Sequence, residues 1–402
     1  MADIVGKGKR FLQRMRRRVI HAWQTIWAKR HYYTTLQSYV NVSPNKAQIL
    51  SQRVDDLVYT PIEDCAELYP GGQGVVRKAC IKNATCFVFS DIILLDDGQC
   101  MYELKELEEL QPIANYMDEI LLKDTDHWCK LKNCHQTRYI EKAIKIGGMY
   151  GFNYYHFMFQ LLPRMLETSD IDSSAPLLID YSARDIPSMR QLVEWFNNEG
   201  REVIYMEYDV AYTAAELYII TSPNFCVPHF KPIRYSFDKV AAYSKSCLDR
   251  MRENTFPYKK DVCTSKKIFI CRNQCSKRRS YNEQELVDIA VELGFTPVAP
   301  EKYSMAEQMA IFNEAEIIIA PSGAALTNLL FVNPQCTLIL LVSRRGLSTA
   351  TFGSLINMYG ASFVEIADGV ADNAKYEEQK NFHIDKIEFL KVIKSIVSKS
   401  AK

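Results

Sequence analysis

The hydrophobic pattern becomes regular from Lys142 onward. Residues 143–146 predict a strand broken by Gly147-Gly148, and 153–167 then reads as an apolar helix ending at Ser169-Asp170. Runs at 176–179, 203–206 and 217–220 predict strands, with a helix at 187–198 closed by Gly200. A long helix is expected over 233–254 and a Lys-rich linker over 257–265. A second alternation follows, with strands at 267–271, 296–299, 317–320, 337–342 and 362–366. Helices at 282–293, 304–315 and 348–359 separate them, and an amphipathic helix at 384–397 ends the chain. Ser304 and Glu307 have capping-box spacing. Apolar runs without alternation are strands covered on both faces, and strands alternating with helices spell a parallel sheet. The expectation is an α/β chain of two Rossmann-like domains, 31–256 and 257–375, followed by a C-terminal helical segment, 376–402. Ligands of such sheets bind in the crevice at the strand ends. Residues 31–85 show turn signals without a clear period, and 86–89 and 92–95 predict two short strands around a turn.

The segment from Glu316 to Phe331 is the most informative. A buried strand, a tight turn through Pro321-Ser322-Gly323 and a helix opening on Ala324 and Ala325 follow one another. Gly323 is expected to take a backbone conformation that other residues avoid. The small residues let a ligand approach the first helical turn, where N–H groups lack internal partners and attract anions. This suits a diphosphate, although ligand-free α/β turns share the pattern.

Charge changes the picture at the N-terminus. The 402 residues carry a net charge of +1, which argues against bulk nucleic-acid binding. Residues 1–30, however, hold nine Lys/Arg against Asp3 alone, on a mildly acidic remainder. Phe11, Leu12, Met15, Val19, Ile20, Trp23, Ile26 and Trp27 recur at spacings of three and four. That is a basic amphipathic helix suited to an anionic membrane surface; a helix packed on the body, or an RNA- or partner-binding arm, would share the pattern. No apolar run reaches the ~18–20 residues that span a bilayer, and no secretion signal is visible. A cytoplasmic, membrane-peripheral location is therefore expected. The twelve cysteines lack C-x2-C pairs, so reduced, mostly buried thiols are expected rather than a zinc site.

Two constellations could carry chemistry. In Asn153-Tyr154-Tyr155-His156, the histidine falls in a first helical turn, where the dipole disfavours its cationic form. A neutral imidazole there can act as general base, or be a buried structural histidine. Asn153 equally fits a helix cap, and Arg164, after Pro163, either clamps an anion or ends the helix. The second constellation places Arg272, Arg278 and Arg279 on one βα loop, where guanidinium forks fit phosphate oxygens; a solvated charged loop would look alike. Gln308, beside Glu307, could meet a ribose or base, or lie at the surface.

The order Asn-Tyr-Tyr-His and Leu-Pro-Arg164, then Arg272 with Arg279-x-x-Asn282-Glu283, then Glu307-Gln308 with Ala-Pro-Ser-Gly-Ala-Ala-Leu-Thr-Asn328, resembles the family 61 glycosyltransferases over about residues 140–345. The resemblance implies a GT-B fold of two facing Rossmann-like domains and inverting sugar transfer from a nucleotide donor, usually a UDP-sugar, without a metal cofactor. It implies His156 as the family histidine, Arg272 and Arg279 near the donor diphosphate, and Ser322, Gly323 and Ala324 as the loop capping it. Gln160 stands where many members have an acid, and Ser322 where many have His. Gln160 cannot act as a base, which shifts that role to His156 or to another acid such as Glu167. With the basic tail, the expected acceptor is a saccharide or lipid-linked saccharide for surface polysaccharide, with Asn153 and Arg164 on its side. A non-catalytic sugar-nucleotide-binding subunit is the rival from another class; an RNA-binding protein is a third.

Overall fold

A computed structural model describes residues 24–26, 28–58, 73–102, 118–125, 127–226, 241–260, 265–272, 280–343, 347–368 and 381–400. Of the basic amphipathic helix expected over 1–30, only residues 24–26 and 28–30 are described; the rest lies outside. Residues 24–26 form a helical turn whose Thr25 and Ile26 carbonyls accept from Lys130 Nζ at 2.5 and 3.2 Å.

Two sheets organise the described chain. The strands of the first are β1 (Arg30–Thr34), β2 (Ala47–Val58), β3 (Gln73–Cys86), β4 (Ile93–Leu94), β5 (Cys100–Met101), β6 (Leu121–Asp124) and β7 (Trp128–Leu131). They are followed by β8 (Gln136–Lys145), β9 (Leu177–Asp180), β10 (Val203–Met206), β11 (Val210–Ile220), β12 (Phe225–Cys226) and β13 (Ala241–Ser244). β10-β9-β8-β11 run parallel, as do β1 and β5; β11 pairs antiparallel with β3, and β3 with β2 and β4. The first sheet is thus mixed, and not the parallel sheet expected. The second sheet is parallel throughout, in the order β15-β14-β16-β17-β18. Its strands are β14 (Lys267–Ile270), β15 (Thr296–Val298), β16 (Ile317–Pro321), β17 (Thr337–Val342) and β18 (Ser362–Ala367).

The second half matches its periodicity closely. β16 is buried at every position, as its unalternating run requires. Helix Met305–Glu314 starts at the Ser304–Glu307 capping box, both arms of which are formed. One element differs: residues 324–331 coil as a 3-10 helix.

In the first half, the expected helix over 233–254 is corrected. Residues 227–240 lie outside the description, Ala241–Ser244 is β13, and the helix is Lys245–Thr255. Ser244 explains the break, because its Oγ accepts from Cys247 N at 3.2 Å and caps the helix. The expected helix over 153–167 is an α-turn (Tyr154–His156), a π-turn (Phe157–Leu161) and a 3-10 segment (Leu162–Glu167). Pro163 cannot donate to the Phe159 carbonyl four residues back. Asn224 Nδ2 donates to that carbonyl instead, at 2.9 Å. This histidine helix carries Phe157, Phe159, Leu161 and Leu162 into one core that also holds Ile144 and Leu177 of the first sheet and Ile318 and Leu340 of the second.

Candidate active site

Asn153 caps the histidine helix, its Oδ1 accepting from Tyr155 N at 3.0 Å. His156 is buried, with Nδ1 2.5 Å from Gln160 Oε1. Its ring stacks on Tyr150 at 4.6 Å and 21° and meets Tyr155 edge-on. When Nδ1–H donates to the Gln160 oxygen, the neutral imidazole carries its lone pair on Nε2. Gln160 therefore orients the ring without placing a charge beside it. Glu167, the other acid considered, lies about three helical turns away. It is held by Arg53 Nη1 at 2.6 Å and Arg250 Nη1 at 2.5 Å, which assigns it to an ion pair at the helix end instead of to His156.

Arg164 points into the fold. Its Nη1 donates to the carbonyls of Ile146 and Gly147 at 3.1 and 3.2 Å, and Nη2 lies 3.5 Å from Asp91. Here it braces the 147–151 loop that delivers Tyr150 to His156. Asp180 holds the same loop, accepting from Gly148 N at 2.9 Å and Phe89 N at 2.7 Å. A Cβ on Gly151 would come 2.1 Å from Asp180 Oδ2, so the close approach needs glycine.

Burial pushes the Asp180 carboxyl up to about 6 and that of Asp118 up to about 7. Both values are raised above those of the unfolded chain. The stability they contribute is therefore complete below about pH 4 and lost as pH rises through 6 and 7. The carboxylates held low, Asp170, Asp172, Asp209, Glu285 and Glu307, act only below that window. The thermal midpoint is expected to fall by several degrees between pH 5 and 8, and Asp118→Asn to flatten that slope. A midpoint that rises over this interval contradicts the assignment.

On the second sheet, Arg272 follows the end of β14. Glu283 accepts from its backbone N–H with both carboxylate oxygens, at 3.1 and 3.0 Å. Arg272 Nη1 donates to the Ser322 carbonyl at 3.2 Å, and Ser322 N–H donates to Leu341 O at 3.1 Å. Gly323 is extended, with φ 173, so the special conformation expected of it is absent. A Cβ there would sit 3.9 Å from Arg272 Nε, an ordinary contact. Exposed Ala324 follows it at the start of helix Ala324–Phe331, so the guanidinium lies beside small residues. Arg278 and Arg279 lie outside the described residues.

Gln308 is buried instead of facing a ligand. Its Nε2 donates to Tyr303 O at 3.0 Å, and its Oε1 accepts from Asn328 Nδ2 at 2.8 Å. Asn328 Oδ1 in turn accepts from Tyr154 OH at 2.9 Å. Tyr155, next to His156, meets Phe352 at 6.1 Å. The two tyrosines that precede His156 therefore both touch the second half of the chain. Tyr154, Asn328 and Glu283 are structural members of the site that the sequence reading did not single out, although each stands in a quoted motif. Among the described residues, no three His, Cys, Asp or Glu side chains converge as metal ligands, and eight cysteines are free thiols.

The model of the glycosyltransferase 61 family matches residues 154–339, from the Tyr154 turn through Arg272 and Ser322 into β17. Over this stretch the chain is similar to glycosyltransferase family 61. No curated protein matches the chain. The family supports glycosyl transfer between a sugar donor and a saccharide acceptor. The matched stretch holds His156, Arg272 and the Ser322 loop, while β1–β8 precede it.

Proposed function

We propose that the protein is an inverting glycosyltransferase of GT-B organisation, with residues 31–256 as acceptor domain and 257–375 as donor domain. The observation that carries this reading is the Arg272 guanidinium, held by the Ser322 carbonyl beside Gly323 and the exposed Ala324 that opens helix Ala324–Phe331. The donor, a nucleotide sugar and most simply a UDP-sugar, would lay its diphosphate against these groups. Arg272, Arg279 and the first N–H groups of helix Ala324–Phe331 would meet its charge, with no metal required. The same groups stabilise charge developing on the leaving diphosphate.

His156 Nε2 would accept the proton of the acceptor hydroxyl as its oxygen bonds to the anomeric carbon. The bond to the diphosphate breaks with its electron pair leaving on phosphate, and the anomeric configuration inverts. Asn153 and the loop braced by Arg164 would line the acceptor side. The basic segment 1–30 would hold the enzyme on the cytoplasmic face of an anionic membrane, where a lipid-linked saccharide for surface polysaccharide presents its hydroxyl.

The decisive measurement is UDP release across a panel of UDP-sugars, with and without membrane extract as acceptor. We expect slow hydrolysis of one donor alone and faster release with acceptor. Protection by UDP in a thermal shift without any turnover would favour a non-catalytic sugar-nucleotide-binding subunit, which the amide at Gln160 motivates. Full sedimentation with anionic liposomes after deletion of residues 1–30 would remove the anchor from this proposal.

A further inference from the structure

A chain of aromatic rings leads away from His156. Tyr150, stacked on the imidazole, meets Phe152 at 6.1 Å, and Phe152 meets Phe89 at 5.4 Å. Phe89 is buried and acts as a hub, with Tyr181 at 5.2 Å and Tyr208 at 5.6 Å; Tyr181 and Tyr208 touch at 5.3 Å. The outer members are open to solvent, Phe152 by 40% and Tyr208 by 50%. Beyond Tyr208 the surface sinks into a cavity of about 250 Å³, with an apolar wall and a polar rim of Tyr208, Asn133 and two ion pairs, Glu119–Lys132 at 3.4 Å and Asp209–His135 at 2.6 Å.

The lining has the chemistry of a sugar subsite. Carboxylate, amide, ammonium and imidazole groups can donate to and accept from vicinal hydroxyls, while an exposed ring offers its apolar face to the C–H side of a pyranose. The backbone supplies a separate observation. Non-glycine residues with positive φ are Asn83, Phe89, Tyr150 and Asp209 among the described residues, and the last three all belong to this track. Such conformations cost free energy, for a bulky residue such as Phe89 most of all, and they concentrate where geometry serves a ligand. Asp180 holds the Phe89 backbone in place through its N–H.

We propose that this track is an extended acceptor subsite: an oligosaccharide whose terminal hydroxyl lies at His156 runs over Phe152 and Tyr208 and seats a more distant sugar unit in the cavity. The inference rests on the glycosyl-transfer reading and deepens it, because it makes the acceptor a chain of several sugars and not a monosaccharide.

The test uses the full chain. Labelled xylo-, manno-, cello-, chito- and malto-hexasaccharides, and the matching monosaccharides, are titrated by microscale thermophoresis against wild type and the double variant Phe152→Ala/Tyr208→Ala. The proposal expects at least one hexasaccharide to bind, its monosaccharide to bind about tenfold more weakly or not at all, and the double variant to lose about tenfold in affinity. The conservative pair Phe152→Tyr/Tyr208→Phe should restore binding if lost stacking, and not misfolding, is the cause. Equal affinity in wild type and double variant, or no binding by any hexasaccharide, overturns it. UDP release from donor alone is followed in the same preparations. Failure of donor turnover with the track intact as a glycan binder would count against the transfer reading. Turnover retained with no glycan discrimination would count against the track alone.

Discussion

Replacing His156 by alanine is expected to lower kcat for sugar transfer by about 10²–10⁴-fold, the range for loss of a positioned general base. The donor KM should stay within about twofold, because the donor contacts proposed above belong to the second sheet. The cause is local. Gln160 Oε1 sits 2.5 Å from Nδ1, Tyr150 covers one ring face, and both fix the direction in which Nε2 points. Gln160→Leu keeps the imidazole but removes its partner, so it should lose activity through misorientation, less than the alanine variant does. Gln160→Glu sets a carboxylate against Nδ1, favours the imidazolium and should move the acid limb of the pH–rate profile to higher pH. Full rate in His156→Ala would sink the base assignment and leave donor binding untouched.

Arg272→Ala is expected to cost about 10²–10³-fold in kcat/KM for the donor, the loss typical when a preorganised donor to developing charge is removed. Its side chain is half-buried and, among the described residues, makes one hydrogen bond, to the Ser322 carbonyl, so the thermal midpoint should move by little. Arg272→Lys keeps the charge but not the planar fork, and should recover only part of the activity. Glu283→Gln offers a finer probe. Both oxygens of Glu283 accept from the Arg272 backbone N–H, and an amide in their place turns a donor toward that group. UDP affinity that is the same in wild type and Arg272→Ala would exclude the guanidinium from the donor site.

The second sheet was legible in the sequence because its central strands β14, β16 and β17 are buried runs, and burial on both faces is what a hydrophobicity pattern records. The first sheet was not, because β8 begins with four exposed positions, Gln136 to Tyr139, and its pairing with β11 is carried by backbone bonds that leave no apolar trace. The break at Ser244 was hidden because an apolar Ala-Ala-Tyr run continues smoothly into the following helix pattern. Within the site, the histidine turn, its Asn153 cap and the Arg272–Ser322 neighbourhood followed from local motifs. The Tyr154–Asn328–Gln308 relay joins residues up to 174 positions apart, and no local pattern reports such a distance. Gln308 was expected at a ligand or at the surface and is found buried, accepting from Asn328, which itself accepts from Tyr154 of the first half.

The core that houses the histidine helix has a consequence for how the molecule can be divided. Ile144, Leu177, Phe159, Ile318 and Leu340 belong to one apolar cluster, crossed by Tyr154 and by Arg252, which donates to Leu330 O. A cut near residue 257 would strip the histidine helix of one wall and leave helix Ala324–Phe331 facing water. Neither fragment would inherit a complete interior. The two halves are therefore joint in folding: each is the other's solvent-excluding wall, and they should melt together as one cooperative unit.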